Sequence, residues 1–193
     1  GLSATTYCMV QDGEGFYWVG AQNWLFQFDG LKARQIFLVS EENTGFDYVS
    51  DLEYDAATNS IWLCSEQGIY QYDLGQKTAK RFDPKAYFPA GEISLRKECI
   101  FQDRQGLLWG DLQVNGLSCF DPAKNTVERY VVPDSLLGPH GAFALTNTVL
   151  NVAQDARNDS IIWAGTRNGL IRVNKVLKTF QYIRYRHPDF ALE

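Results

Sequence analysis

Short apolar runs separated by polar turns recur along this chain in groups of four, without the 3.6-residue periodicity of an amphipathic helix. The first run of each group covers residues 7–10, 49–54, 98–101 and 149–153, and the second covers 16–20, 60–64, 107–111 and 160–165. A third covers 25–28, 69–72, 117–120 and 170–173. The fourth, at 34–39, 79–82, 127–132 and 179–183, is the most polar. The runs are short, β-branched and aromatic, which predicts strands, here a to d in each group. In strand b both side-chain parities are mostly apolar, as where Phe16 and Trp18 alternate with Tyr17 and Val19, so both faces of the sheet are expected to be covered. Polar strand d suits an outer edge, where polar side chains discourage unwanted pairing.

Trp18, Trp62, Trp109 and Trp163 mark the phase, at intervals of 44, 47 and 54 residues. The distance from each to the Asp or Asn closing strand c, namely Asp29, Asp73, Asp121 and Asn174, is 11, 11, 12 and 11 residues. A constant inner unit with variable spacers marks a structural repeat. Four strands per unit at this period predict an all-β fold built of β-propeller blades, each of four antiparallel strands. The four repeats make either a small propeller or a fragment of a larger one. The whole chain, 1–193, is expected to form one such domain, with blades at about 5–40, 47–83, 96–132 and 146–183. An open arc would expose an apolar face at each end, so the chain is expected to close as a four-bladed ring or to cover those faces with another copy.

The formal net charge is −5 and the basic residues are scattered, which leaves no stripe for a phosphate backbone and excludes nucleic acid as an expected partner. No apolar run approaches the roughly 20 residues that span a bilayer, so this segment is not expected to be membrane-embedded. The chain opens on Gly1 and ends at Leu192-Glu193, and it reads as a piece of a longer protein. Cys8, Cys64, Cys99 and Cys119 match no metal or redox spacing and read as small buried apolar residues. A disulfide pairing remains open.

Asp12, Asp55, Asp103 and Asp155 stand once per repeat at the a–b turn, where Asp accepts backbone N–H bonds. They are read as scaffold, since one carboxylate per blade does not make the close pair that glycoside hydrolysis requires. The aligned tryptophans are read as packing between blades. The two histidines, His140 and His187, have no ligand-spaced neighbour, so no metal is expected. No phosphate loop, nucleophile elbow or zinc-protease motif occurs, and neither a catalytic residue nor a cofactor is expected. The candidate ligand residues lie in the short b–c turns: Asn23, Trp24, Gln67, Asn115, Arg167 and Asn168. Their amides and guanidinium suit sugar hydroxyls, and Trp24 stands where the other repeats carry Gly68, Gly116 and Gly169. In a propeller these turns share one face of the disc with the spacers 41–47, 84–95 and 133–146.

The segments Asp12 to Gly20, Asp103 to Trp109 with Asn115 to Asp121, and Ile162 to Leu170 resemble the two-component regulator propeller repeat, with its Asp-x-x-Gly-x-Leu-Trp-hydrophobic-Gly-Thr-x-x-Gly-Leu pattern and closing Phe-Asp. The resemblance covers essentially the whole chain. The second repeat departs with Cys64-Ser65 for Gly-Thr, the third with Asp111-Leu112, and the first lacks the turn glycine. The resemblance implies the extracytoplasmic, periplasmic sensor region of a hybrid two-component system, as found largely in gut Bacteroidetes. Such regions respond to polysaccharide breakdown products and carry more repeats than four. It implies a non-catalytic sensor with an oligosaccharide ligand, and either self-association or packing against further blades. A protein-interaction scaffold is the alternative, followed by a propeller hydrolase or lyase.

Overall fold

The computed structural model describes residues 5–22, 24–37, 48–65, 68–82, 99–111, 116–130, 148–166 and 169–184. These form four sheets of four antiparallel strands, each a simple meander, with no helix among the described residues. The first comprises β1 (Thr6–Gln11), β2 (Tyr17–Ala21), β3 (Trp24–Phe28) and β4 (Ala33–Ile36), and the second β5 (Val49–Asp55), β6 (Ser60–Ser65), β7 (Gly68–Asp73) and β8 (Thr78–Phe82). The third holds β9 (Ile100–Gln102), β10 (Leu108–Gly110), β11 (Leu117–Asp121) and β12 (Thr126–Tyr130). The fourth holds β13 (Val149–Gln154), β14 (Ile161–Thr166), β15 (Gly169–Asn174) and β16 (Thr179–Arg184). This is an all-β fold of propeller blades, with a to d in spatial order.

Local chemistry sets each turn. Asp12 Oδ1 accepts from the N–H groups of Glu14 and Phe16 at 2.9 and 3.0 Å, and Asp103 Oδ1 does the same for Gln105 and Leu107. Asp29, Asp121 and Asn174 likewise each take two N–H groups at the c–d turn. Gly68 and Gly116 open strand c with φ of 132° and 112°, values that L side chains resist.

The sheets stack face to face, and the strand register decides which side chains meet. Val10, Trp18 and Leu25 of the first sheet pack on Leu52, Ile61, Leu63, Tyr70 and Tyr72 of the second. On the second sheet's other face, Trp62, Cys64, Ile69 and Phe82 meet Ile100, Leu108 and Phe120. Trp109, Leu117 and Tyr130 then meet Ile162, Ala164, Ile171 and Val173. Thus Trp18, Trp62 and Trp109 are buried, each against the following sheet. Trp163 occupies the same register position on the outer face of the fourth sheet and is only half-buried.

Closure by four blades is not observed. Among the described residues no strand of the fourth sheet packs face to face on the first. The outer face of the first sheet leaves Tyr7, Met9, Trp24 and Phe37 exposed, Met9 at 65%, and the fourth leaves Leu150, Leu170 and Ile183 exposed. Each of these faces has apolar surface of the kind the internal interfaces cover, and no sheet among the described residues stands opposite it.

Candidate functional site

Of the six residues singled out in the b–c turns, Asn23, Gln67, Asn115, Arg167 and Asn168 lie outside the described residues, as do His140 and His187. Trp24 is described. It is the first residue of β3, opposite Ala21, and its ring meets Phe37 edge-on at 6.4 Å between centroids. It belongs to the outer face of the first sheet, 40% exposed.

A cleft of about 240 Å³ opens at the other end of the strands, where the a–b and c–d turns of the first two sheets meet. Trp18, Ile36 and Tyr72 form its apolar walls, and Asp12, Glu14, Gln27, Arg34, Asn59 and Lys77 its polar ones. Strand pairing delivers these residues together, since Trp18 lies opposite Gln27 and Gln27 opposite Arg34. The rings of Trp18 and Tyr72 touch at 5.6 Å between centroids. Asn59 Oδ1 accepts the Tyr54 hydroxyl at 3.1 Å, which fixes the turn that borders the cleft.

The inner wall is the repeated Asp–Trp unit. Trp18 Nε1 donates to Asp12 Oδ2 at 2.8 Å, Trp109 Nε1 to Asp103 Oδ2 at 2.9 Å and Trp163 Nε1 to Asp155 Oδ2 at 3.1 Å. In the second sheet the bond is absent: Asp55 Oδ2 accepts Gln102 Nε2 from the third sheet at 2.9 Å, and buried Trp62 Nε1 has no partner among the described residues.

The carboxylates differ in what the neighbouring sheet supplies. Asp103 receives the ammonium of Lys175, which also donates to Gln105 Oε1. This ion pair is nearly closed to solvent, with the side chains 10% and 0% exposed. Beside it, Lys178 pairs with Glu128. In the first cleft the matching positions, counted from Asp73 and Asn174, are Leu74 for Lys175 and Lys77 for Lys178, and Arg34 takes the place of Glu128. Asp12 therefore has no donor from the next sheet, and neither Arg34 nor Lys77 has a carboxylate partner among the described residues.

No three His, Cys, Asp or Glu side chains gather to hold a metal among the described residues. No helix there is long and apolar enough to cross a membrane. The four cysteines carry thiols, and burial raises those of Cys8, Cys99 and Cys119 to about 12. Burial, with the Asp51 carboxylate nearby, raises Glu53 to about 7.

No family model matches the sequence, nor does any curated protein. Solved structures do match its fold. The extracellular domain of a hybrid two-component system from B. thetaiotaomicron superposes with a TM-score of 0.68 at 18% identity, over 95% of this chain and 25% of that one. A second such extracellular domain from the same organism gives 0.55 at 19%, over 97% and 28%. Virginiamycin B lyase from Staphylococcus aureus gives 0.68 at 12%, over 98% and 58%. The chain shares the fold of these domains. The first two are extracellular domains of the class of sensor that the repeats resemble, and the chain spans about a quarter of their length.

Proposed function

We propose that this chain is part of the extracytoplasmic, ligand-binding propeller of a two-component sensor, that it is non-catalytic, and that it responds to an oligosaccharide. The observation carrying this reading is the four-sheet arc, which follows the extracellular sensor domains over nearly all of its length. The first cleft supports it further, since apolar walls with a few convergent polar groups are the usual form of a small-molecule site. Virginiamycin B lyase shares the fold, so the propeller alone does not decide between binding and catalysis. The residues that the b–c turns contribute, Asn23, Trp24, Gln67, Asn115, Arg167 and Asn168, remain part of the proposal as a second contact surface. A thermal-shift screen of this chain against plant and host oligosaccharides tests the reading. A ligand at a hundred times its Kd adds about 2.7 kcal/mol of stability, enough to move the melting point by a few degrees. No shift with any saccharide, or turnover of one, contradicts it.

A second reading, assembly, is favoured by the exposed outer faces of the first and fourth sheets. Met9 at one end, and Leu170 and Ile183 at the other, occupy positions that are covered at the internal interfaces. Light scattering tests it: a mass above one chain supports assembly, and a monomer at high concentration opposes it.

A further inference from the structure

The three interfaces between sheets differ in what each brings to its turn carboxylate, Asp12, Asp55 or Asp103. At the second interface Gln102 Nε2 reaches Asp55 Oδ2, and at the third the Lys175 ammonium reaches Asp103 Oδ2. At the first, Leu74 stands where Lys175 would, and among the described residues Asp12 Oδ2 is left with the Trp18 indole alone. The outer ion pair changes as well. Lys178–Glu128 at the third interface becomes Lys77 and Arg34 at the first, two cations lining one cleft. Compared with the third interface, the first thus lacks the cation at the inner end of its cleft and the Glu128-type carboxylate beside the outer lysine.

We propose that this cleft binds the ring of an acidic sugar, a uronate. Its carboxylate lies between Arg34 and Lys77, and a ring hydroxyl donates to Asp12 Oδ2 in the place that Lys175 Nζ takes on Asp103. The proposal rests on the reading of the chain as a saccharide-binding propeller and names the class of sugar. Ile36 and Leu74, only partly buried, face the apolar side of the ring, while Gln27 and Asn59 offer amides to further hydroxyls. Arg suits the task because its planar guanidinium matches a carboxylate. The volume of about 240 Å³ falls below the range of about 300–1,000 Å³ for sites holding drug-sized ligands, which fits one ring rather than a buried chain. Glu14 at the same rim adds a negative charge, which disfavours a second carboxylate inside the cleft and leaves the other ring of a diuronate outside it.

Calorimetric titration of the whole chain with digalacturonate, and in parallel with neutral galactobiose, tests the site. Digalacturonate is expected to bind and galactobiose to bind at least about tenfold more weakly, with the acidic ligand losing affinity as salt is raised. Arg34→Gln is expected to raise Kd for digalacturonate about tenfold, the effect of losing one hydrogen bond to a charged group. Leu74→Lys is the complementary variant: it puts an ammonium beside Asp12, refills the cleft as Lys175 does at the third interface, and abolishes binding. Melting curves of both variants confirm that the fold is kept. Equal affinity for the two sugars, or digalacturonate binding unchanged in Arg34→Gln and Leu74→Lys, overturns the uronate site and leaves the saccharide-binding reading standing. Absence of binding by digalacturonate, galactobiose and the wider saccharide panel overturns both.

Discussion

Lys175 crosses from the fourth sheet to the third and places its ammonium on the buried carboxylate of Asp103, which the Trp109 indole already holds at 2.9 Å. The same Asp also closes its own turn by accepting the N–H groups of Gln105 and Leu107. One carboxylate therefore ties together a turn, the tryptophan that fills the interface and the next blade. This adds a polar tie to the apolar contacts that stack the third and fourth sheets.

Lys175→Met is predicted to lower stability by about 2 kcal/mol, because a buried carboxylate loses a charged donor but keeps its indole and two amides. Urea unfolding measures it, and an unchanged midpoint would show that the ion pair contributes little. The matching change at the first interface, Leu74→Met, removes no such bond and is predicted to be near neutral.

Gly20 sits where strands of two sheets nearly touch. A Cβ there would lie 2.4 Å from Cys8 Sγ and 2.8 Å from Val49 Cγ1, so Gly20→Ala is predicted to destabilise by about 1–3 kcal/mol. Gly75→Ala is the control, since its nearest contact, Asp73 Oδ1 at 3.4 Å, is one a small shift relieves. Thermal melts of the two variants should differ clearly; equal melting temperatures would contradict the close approach.

Glu53 gives the pH dependence a definite sign. Desolvation and the Asp51 carboxylate raise it from 4.5 to about 7, so the folded protein holds this proton more tightly than the unfolded chain. Its contribution to stability is fully present below pH 4.5 and is lost as pH rises through 7. Glu53→Gln is predicted to flatten the stability profile in that window. The carboxylates of Asp55, Asp121 and Glu128 are shifted downward, so their contributions are lost only as pH falls below the ordinary carboxylate range. A wild-type profile that is flat from pH 4.5 to 7 would refute the assignment to Glu53.

The thiols offer a readout of folding. Cys8 and Cys99 are partly buried near the carbonyl groups of Val49 and Val149 on the next sheet, at 3.7 and 3.8 Å. With Cys8, Cys99 and Cys119 raised to about 12, thiolate is scarce at neutral pH. Iodoacetamide is predicted to leave the native protein unlabelled and to modify all four cysteines after unfolding. Rapid labelling of the native state would contradict the burial.

The meander of each sheet was legible because the Trp and Asp positions keep phase through all four repeats, and the Asp turns behave as the chemistry of that residue predicts. The glycines at Gly68 and Gly116 were legible for the same reason. Closure was not, because an apolar strand face in sequence does not say whether a sheet stands opposite it. The first cleft was missed because its character depends on residues about 40 positions apart, Arg34 and Leu74 to Lys77, that meet only once two sheets are stacked. A signal did exist. Aligning the repeats on Asp73 and Asn174 shows Leu74 where Lys175 stands, and following the register shows Arg34 where Glu128 stands.

The most direct test of the account is hydrogen–deuterium exchange on the whole chain with and without digalacturonate. Ligand in the first cleft is predicted to slow exchange at the turns spanning 12–16, 56–59 and 74–77, which border the cleft. Protection confined to the b–c turns around Trp24 or Gly68, or no protection anywhere, would contradict it.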